Sequence, residues 1–174
     1  MIEDGQNLEK SLKSIKKRPK LGNDVDVSLL EGSMAVLSTI SADMGSVVSF
    51  HSKKLGRFYA HMLKPKNARD ALDKYAAFCK EKGFGLVEVV KFTDDEIVVH
   101  VEENALSYHL RGMGKVCYFI SGIISGLLTE ADDGRKYYAV ESKCYANGDE
   151  CCEFIIRPMP KIDAFALALK EVNR

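Results

Sequence analysis

Three of the five cysteines, Cys144, Cys151 and Cys152, lie within nine positions in "ESKCYANGDECCEF", and Glu141 stands three places before the first of them. Thiolates and carboxylates are zinc ligands, usually four to an ion in a tetrahedral set. The spacing, Cys-x6-Cys or Cys-x7-Cys, is wider than that of the familiar zinc knuckles. If only one of the adjacent pair binds, a fourth ligand must come from elsewhere. Cys117, at the start of a Gly-rich apolar stretch, is the best placed. Nucleophilic chemistry would need a base beside a thiol. The nearest upstream histidine, His109, precedes Cys117 by eight residues, a spacing that does not by itself pair them. In a reducing compartment a cysteine cluster points to metal before it points to a disulfide frame.

The elements that must position these residues can be read from pattern. "KYYAVESKCYA" and "CCEFIIRP" are strand-like runs flanking Asn147-Gly148, the strongest short hairpin signal. A two-residue loop pairs Cys144 with Cys151; a loop of Asn147, Gly148 and Asp149 pairs it with Cys152. Alternation groups Cys152 with Phe154 and Ile156, an inward-looking face, and Cys151 with Glu153, Ile155 and Arg157. Register alone leaves the choice open. Cys117 opens a helix, "KVCYFISGIISGLL", with a bulky arc and a small arc of Ser121, Gly122, Ser125 and Gly126. Gly inside a helix costs about 1 kcal/mol against Ala. The pair therefore predicts either another backbone packed closely there or space left for something else, with close packing favoured.

Upstream, "NARDALDKYAAFCKEKG" is an amphipathic helix with Ala68, Ala71, Leu72, Tyr75 and Cys79 on its apolar stripe, capped by Asn67 and stopped by Gly83. Cys79 reads as a core side chain. "LVEVVKF" and "EIVVHVEE", joined by "TDD", form an antiparallel hairpin. Residues 25–63 read as two helices with a break at Gly45, and "KIDAFALALKEV" as a closing amphipathic helix. The first 22 residues are a basic flexible arm with too few aliphatics to repay ordering, and 23–174 a single domain. The expected fold class is α+β: an antiparallel sheet of about four strands flanked by helices.

Composition excludes several roles. Twenty-five basic and twenty-five acidic residues cancel, so no direct nucleic-acid binding is expected. The apolar run "YFISGIISGLL" is too short to span a bilayer, and the N-terminus does not read as a secretory signal. A cytoplasmic location is expected. No Gly-rich dinucleotide fingerprint opens a helix: "GFG" at 83–85 precedes a strand.

Taken together, "VCYFISGIISGLL…GRKYYAVESKCYANGDECCEF" resembles the 4-vinyl reductase domain family, with Cys before a Gly-x3-Gly helix, then Glu-x2-Cys, Gly-Asp and Cys-x-Phe. The family includes domains similar to the sensor modules of aromatic-responsive bacterial regulators and, remotely, trafficking-complex subunits with a buried acyl chain. The resemblance implies a sheet and helices enclosing a hydrophobic ligand cavity, commonly in a homodimer. It also implies a structural zinc held by Cys117, Glu141, Cys144 and Cys152, with Cys151 only a neighbour. Four protein ligands leave no open position for Lewis-acid chemistry. The expected function is therefore non-catalytic binding or sensing of a small hydrophobic molecule, with output through a separate protein. The alternative is an accessory or catalytic part in vinyl-group reduction, through substrate binding or delivery. Tyr108, His109, Tyr118 and His61 are the polar residues considered as ligand anchors, though each reads more readily as an ordinary surface or core residue.

Overall fold

The computed structural model describes residues 42–160 apart from 134, together with positions 29, 32, 33, 35 and 36. The basic arm and the closing helix expected at the two ends lie outside the described residues. Helices α1 (Ala42–Leu63) and α2 (Ala68–Lys82) are followed by strands β1 (Leu86–Phe92) and β2 (Ile97–Glu102). Helix α3 (Tyr118–Ala131) and strands β3 (Tyr137–Lys143) and β4 (Cys152–Pro158) complete the described elements. The four strands form one sheet in the order β1-β2-β4-β3, antiparallel throughout. The two hairpins thus meet at β2 and β4, as an α+β fold requires. No described helix is long and apolar enough to cross a membrane.

Helix α2 starts and stops as its sequence predicts. The Asn67 side chain accepts from the Asp70 N–H, and Gly83 takes the left-handed conformation (φ 70°) just past the end. Its five predicted stripe residues, Cys79 included, are all buried. On the inner face of the sheet Ile97, Val99 and Val101 alternate inward from β2, and Cys152, Phe154 and Ile156 from β4. In the first hairpin Glu96 belongs to the turn, where its carbonyl accepts from the Thr93 N–H and hydroxyl.

Helix α3 is buried along most of its length and crosses α1 at backbone contact. A Cβ at Gly122 would collide with the Ser49 carbonyl and the Ser52 hydroxyl, and one at Gly126 with the Lys53 carbonyl. Gly56 makes the reciprocal approach, against the carbonyl of Ile123. The paired glycines are therefore there for close packing. Gly126→Ala should lower stability by about 1–3 kcal/mol, the range for overpacking a filled interface, against the small gain in helix propensity. Thermal or urea unfolding of the variant beside the wild type checks this.

One boundary is corrected. Gly45 does not end a helix; α1 runs through it to Leu63. The Tyr118 ring lies where a Cβ would be, 2.5 Å from its ideal position, so Gly45 makes room for the first residue of α3. A glycine that reads locally as a stop serves here as a tertiary contact.

Candidate metal centre and apolar recess

The β3–β4 hairpin differs from the tight turn expected. From Tyr137↔Pro158 to Glu141↔Phe154 it keeps the register of a two-residue loop. A bulge between Glu141 and Lys143 then shifts the pairing to Lys143↔Glu153, the register of the three-residue loop. Residues 144–151 form a longer connection, with a 3-10 turn at Tyr145–Asn147 and Gly148 in the left-handed region (φ 99°). Asp149 replaces the ladder there: its Oδ2 accepts from the Cys144 N–H at 2.8 Å, while its own N–H reaches the Cys144 carbonyl at 3.1 Å.

The bulge has a direct consequence for the site. Residues three apart in a regular strand face opposite sides. With one extra residue accommodated, Glu141 and Cys144 both turn inward, 5% and 0% exposed. Cys117 arrives from the other layer, at the residue before α3, and its N–H donates to Glu141 Oε2 at 2.9 Å. That bond ties the helix to the third strand. Cys152, first residue of β4, completes the group.

Ligand atoms of Cys117, Glu141, Cys144 and Cys152 all lie within 4.8 Å of one another, and all four residues are buried. The sulfur separations are 3.8 Å (Cys117–Cys144), 3.8 Å (Cys117–Cys152) and 4.0 Å (Cys144–Cys152). A disulfide requires about 2.05 Å, and all five cysteines are free thiols. Sulfurs bound tetrahedrally at about 2.3 Å from one zinc stand about 3.8 Å apart. The remaining carboxylate oxygen, Glu141 Oε1, is buried without a hydrogen-bond partner. Cys151 is half-buried and stands outside the group.

Two contributors gave no sequence signal. Asn104 and Ser107, fully buried in the turn after β2, reach the cluster from above. Asn104 Nδ2 donates to Cys117 Sγ at 3.2 Å and Cys152 Sγ at 3.3 Å. Ser107 Oγ lies 3.2 Å from Cys152 Sγ and 3.3 Å from Cys117 Sγ. Neither sits in a periodic pattern or near a cysteine in sequence.

Beside the cluster, between the helices and β2, lies an apolar recess of about 210 Å³. Leu55 and Tyr59 of α1, Tyr75 of α2, Phe119 and Ile120 at the start of α3, and Val101 of β2 line it. None of the four residues considered as anchors is among its lining residues. His61 pairs with Glu130 at 3.4 Å, Tyr108 packs edge-on against Tyr145, and Tyr118 fills the Gly45 notch. His109 is exposed, with its ring against that of Tyr108. The polar side chains at the recess are instead Tyr59, Tyr75, Cys79 and Asn104.

Comparison with known proteins places this site in context. Residues 97–158 match the 4-vinyl reductase domain family. This 4-vinyl reductase segment runs from the first residue of β2 to the last of β4 and holds all four clustered side chains. The uncharacterized protein MJ0150 of Methanocaldococcus jannaschii is 27% identical over 143 residues, 82% of this chain and 81% of that one. Among solved structures, the phenol-responsive sensory domain of the transcription activator PoxR, determined with phenol, aligns at a TM-score of 0.62 and 14% identity. It covers 98% of this chain and 96% of that one. A vinyl-4-reductase family protein from M. jannaschii aligns at 0.52 and 17% identity, covering 91% and 92%. These likenesses agree with the resemblance seen in the sequence and with the fold.

The electrostatics of the cluster in the 4-vinyl reductase segment ask for a cation. Burial, with the Cys144 thiol beside it, pushes the Glu141 carboxyl up to about 8. Cys152 goes the other way, to about 3, because the Cys117 and Cys144 thiols donate to its sulfur, with Ser107 and a backbone N–H assisting. Cys117, as one of those donors, is pushed well up. The surroundings thus stabilise one thiolate, and further negative charge in so dry a place requires a positive partner. The donor set and the sulfur spacing fit a tetrahedral dication of the zinc type.

On the outer face, Glu153 accepts from the Ser142 hydroxyl at 2.7 Å and faces His100 Nε2 at 2.7 Å and Lys143 Nζ at 3.0 Å. The Ser142 bond, then His100 and Lys143, hold its carboxyl down at about 2, against 4.5 ordinarily. A depressed carboxylate stabilises the fold fully above the unfolded value and loses that contribution as pH falls toward the folded one. Wild-type stability should therefore drop between about pH 4.5 and 2, and Glu153→Gln should flatten that limb in acid unfolding.

Proposed function

We propose that this protein is a non-catalytic domain that binds or senses a small hydrophobic molecule, built around a structural zinc. Cys117, Glu141, Cys144 and Cys152 would hold the metal, which would fasten the β3–β4 hairpin to the start of α3. The carrying observation is the meeting of three sulfurs 3.8–4.0 Å apart with the unpartnered Glu141 oxygen. With four protein ligands the metal has no position for substrate water, so its contribution is to stability and to the shape of the wall.

The recess supports the binding half of the reading. Its walls are aliphatic and aromatic, with only the Tyr59 and Tyr75 hydroxyls and the Cys79 thiol free of obligations to the metal cluster. An uncharged aromatic or aliphatic molecule suits such a lining better than a charged one. PoxR's sensory domain is described as phenol-responsive, which supports a small aromatic occupant without fixing its identity. A homodimer and a separate output protein belong to the same reading. Native mass spectrometry of the purified full chain tests it: a co-purified apolar molecule, or saturable uptake of added naphthalene, is expected. A chain that takes up neither contradicts a binding role.

A further inference from the structure

We propose that the turn Asn104–Ser107 couples the recess to the metal thiolates, so that occupant and metal each alter the other's affinity. The inference rests on the zinc and recess reading above and goes beyond it. Asn104 is the residue on which the two sites meet. Its amide donates to Cys117 Sγ and Cys152 Sγ at 3.2 and 3.3 Å, and the same residue, with Ala105 and Leu106, borders the recess. The amide's orientation is set independently, because Oδ1 accepts from the Leu106 N–H at 3.1 Å. A side chain that contacts an occupant therefore points its N–H groups at two candidate metal ligands.

The turn has little slack in which to lose a displacement. The Asn104 carbonyl accepts from the N–H groups of Ser107 and Tyr108 at 3.0 and 2.9 Å, and Ala105 N–H bonds the Phe84 carbonyl at 3.1 Å. On the β1 side Gly85 (φ 138°) lies so close that a Cβ would stand 3.3 Å from Asn104 Cα. A molecule packed against Asn104 and Leu106 would order the turn in the conformation that donates to the sulfurs. Hydrogen bonds to a thiolate favour its charged, metal-binding form. By thermodynamic reciprocity, metal binding would then favour the occupant equally.

The test uses the full chain and two probes, zinc and naphthalene. Zinc affinity is measured by chelator competition with and without saturating naphthalene. Naphthalene should tighten zinc by about fivefold or more. Asn104→Ala should weaken zinc by about 10- to 100-fold and abolish the naphthalene effect. In cobalt-loaded protein the sulfur-to-cobalt absorption band should move on adding naphthalene and in Asn104→Ala, a change that general destabilisation would not produce. Ser107→Ala, which removes the second donor, gives the same readout if Asn104→Ala does not fold. Zinc affinity indifferent to naphthalene, or a band unmoved by naphthalene or by either substitution, overturns the coupling while leaving the proposed function standing. A wild type that binds neither probe overturns both.

Discussion

Cys144→Ala should strip the metal and leave a protein that unfolds far more easily than the wild type. Cys144 is fully buried, and its sulfur stands 3.8 and 4.0 Å from the other two. Removing it leaves two thiols and a carboxyl, too few to close a tetrahedral set. Binding free energy at structural zinc sites is folding free energy, about 10–16 kcal/mol in zinc-finger peptides. Here a sheet and three described helices also hold the chain, so the loss should be a fraction of that, about 3 kcal/mol or more. Thermal melting with and without a strong chelator checks it. Chelation should lower the wild-type midpoint toward that of Cys144→Ala, and should leave the variant unchanged.

Filling the recess should have an equally large effect on binding. Ile120 is buried in the first turn of α3 and lines the cavity of about 210 Å³. Ile120→Trp adds a ring system into that space, at some strain. Naphthalene uptake should fall by at least about tenfold, since a displaced occupant loses its apolar contacts outright. Zinc content should stay at the wild-type level, because Ile120 takes no part in the hydrogen bonds around the four clustered side chains. Fluorescence titration with naphthalene and metal analysis of the same preparation read both quantities. Undiminished uptake would place the binding site elsewhere.

How far the sequence could be read varies with the physics involved. Helix α2 was fully legible because local rules decide it: an apolar stripe, an Asn67 cap and a Gly83 stop. The four strands were legible from β-branched density and alternation. Gly122 and Gly126 signalled a close crossing, though not that α1 was the partner. Gly45 misled, since its role depends on Tyr118, more than seventy residues away.

The metal cluster shows the same division. Residue types and spacing named the candidates, and the resemblance chose Cys152 over Cys151. The reason for that choice is a bulge, which lets both loop registers coexist in one hairpin and brings Glu141 and Cys144 to the same side. No sequence rule announces that. Asn104 and Ser107 were illegible for a related reason: they lie in an irregular turn, and only the assembled fold brings them over sulfurs from a helix start and a distant strand. The recess lining was similarly hidden. Tyr59 and Tyr75 read simply as parts of apolar stripes, whereas the histidines and tyrosines considered as anchors turned out to serve elsewhere.

Metal analysis of the purified wild type, Cys144→Ala and Cys151→Ser tests the central claim most directly. One zinc per chain is expected in the wild type and in Cys151→Ser, and none in Cys144→Ala. A folded wild type without metal, or a Cys151→Ser protein that loses it, would contradict the account.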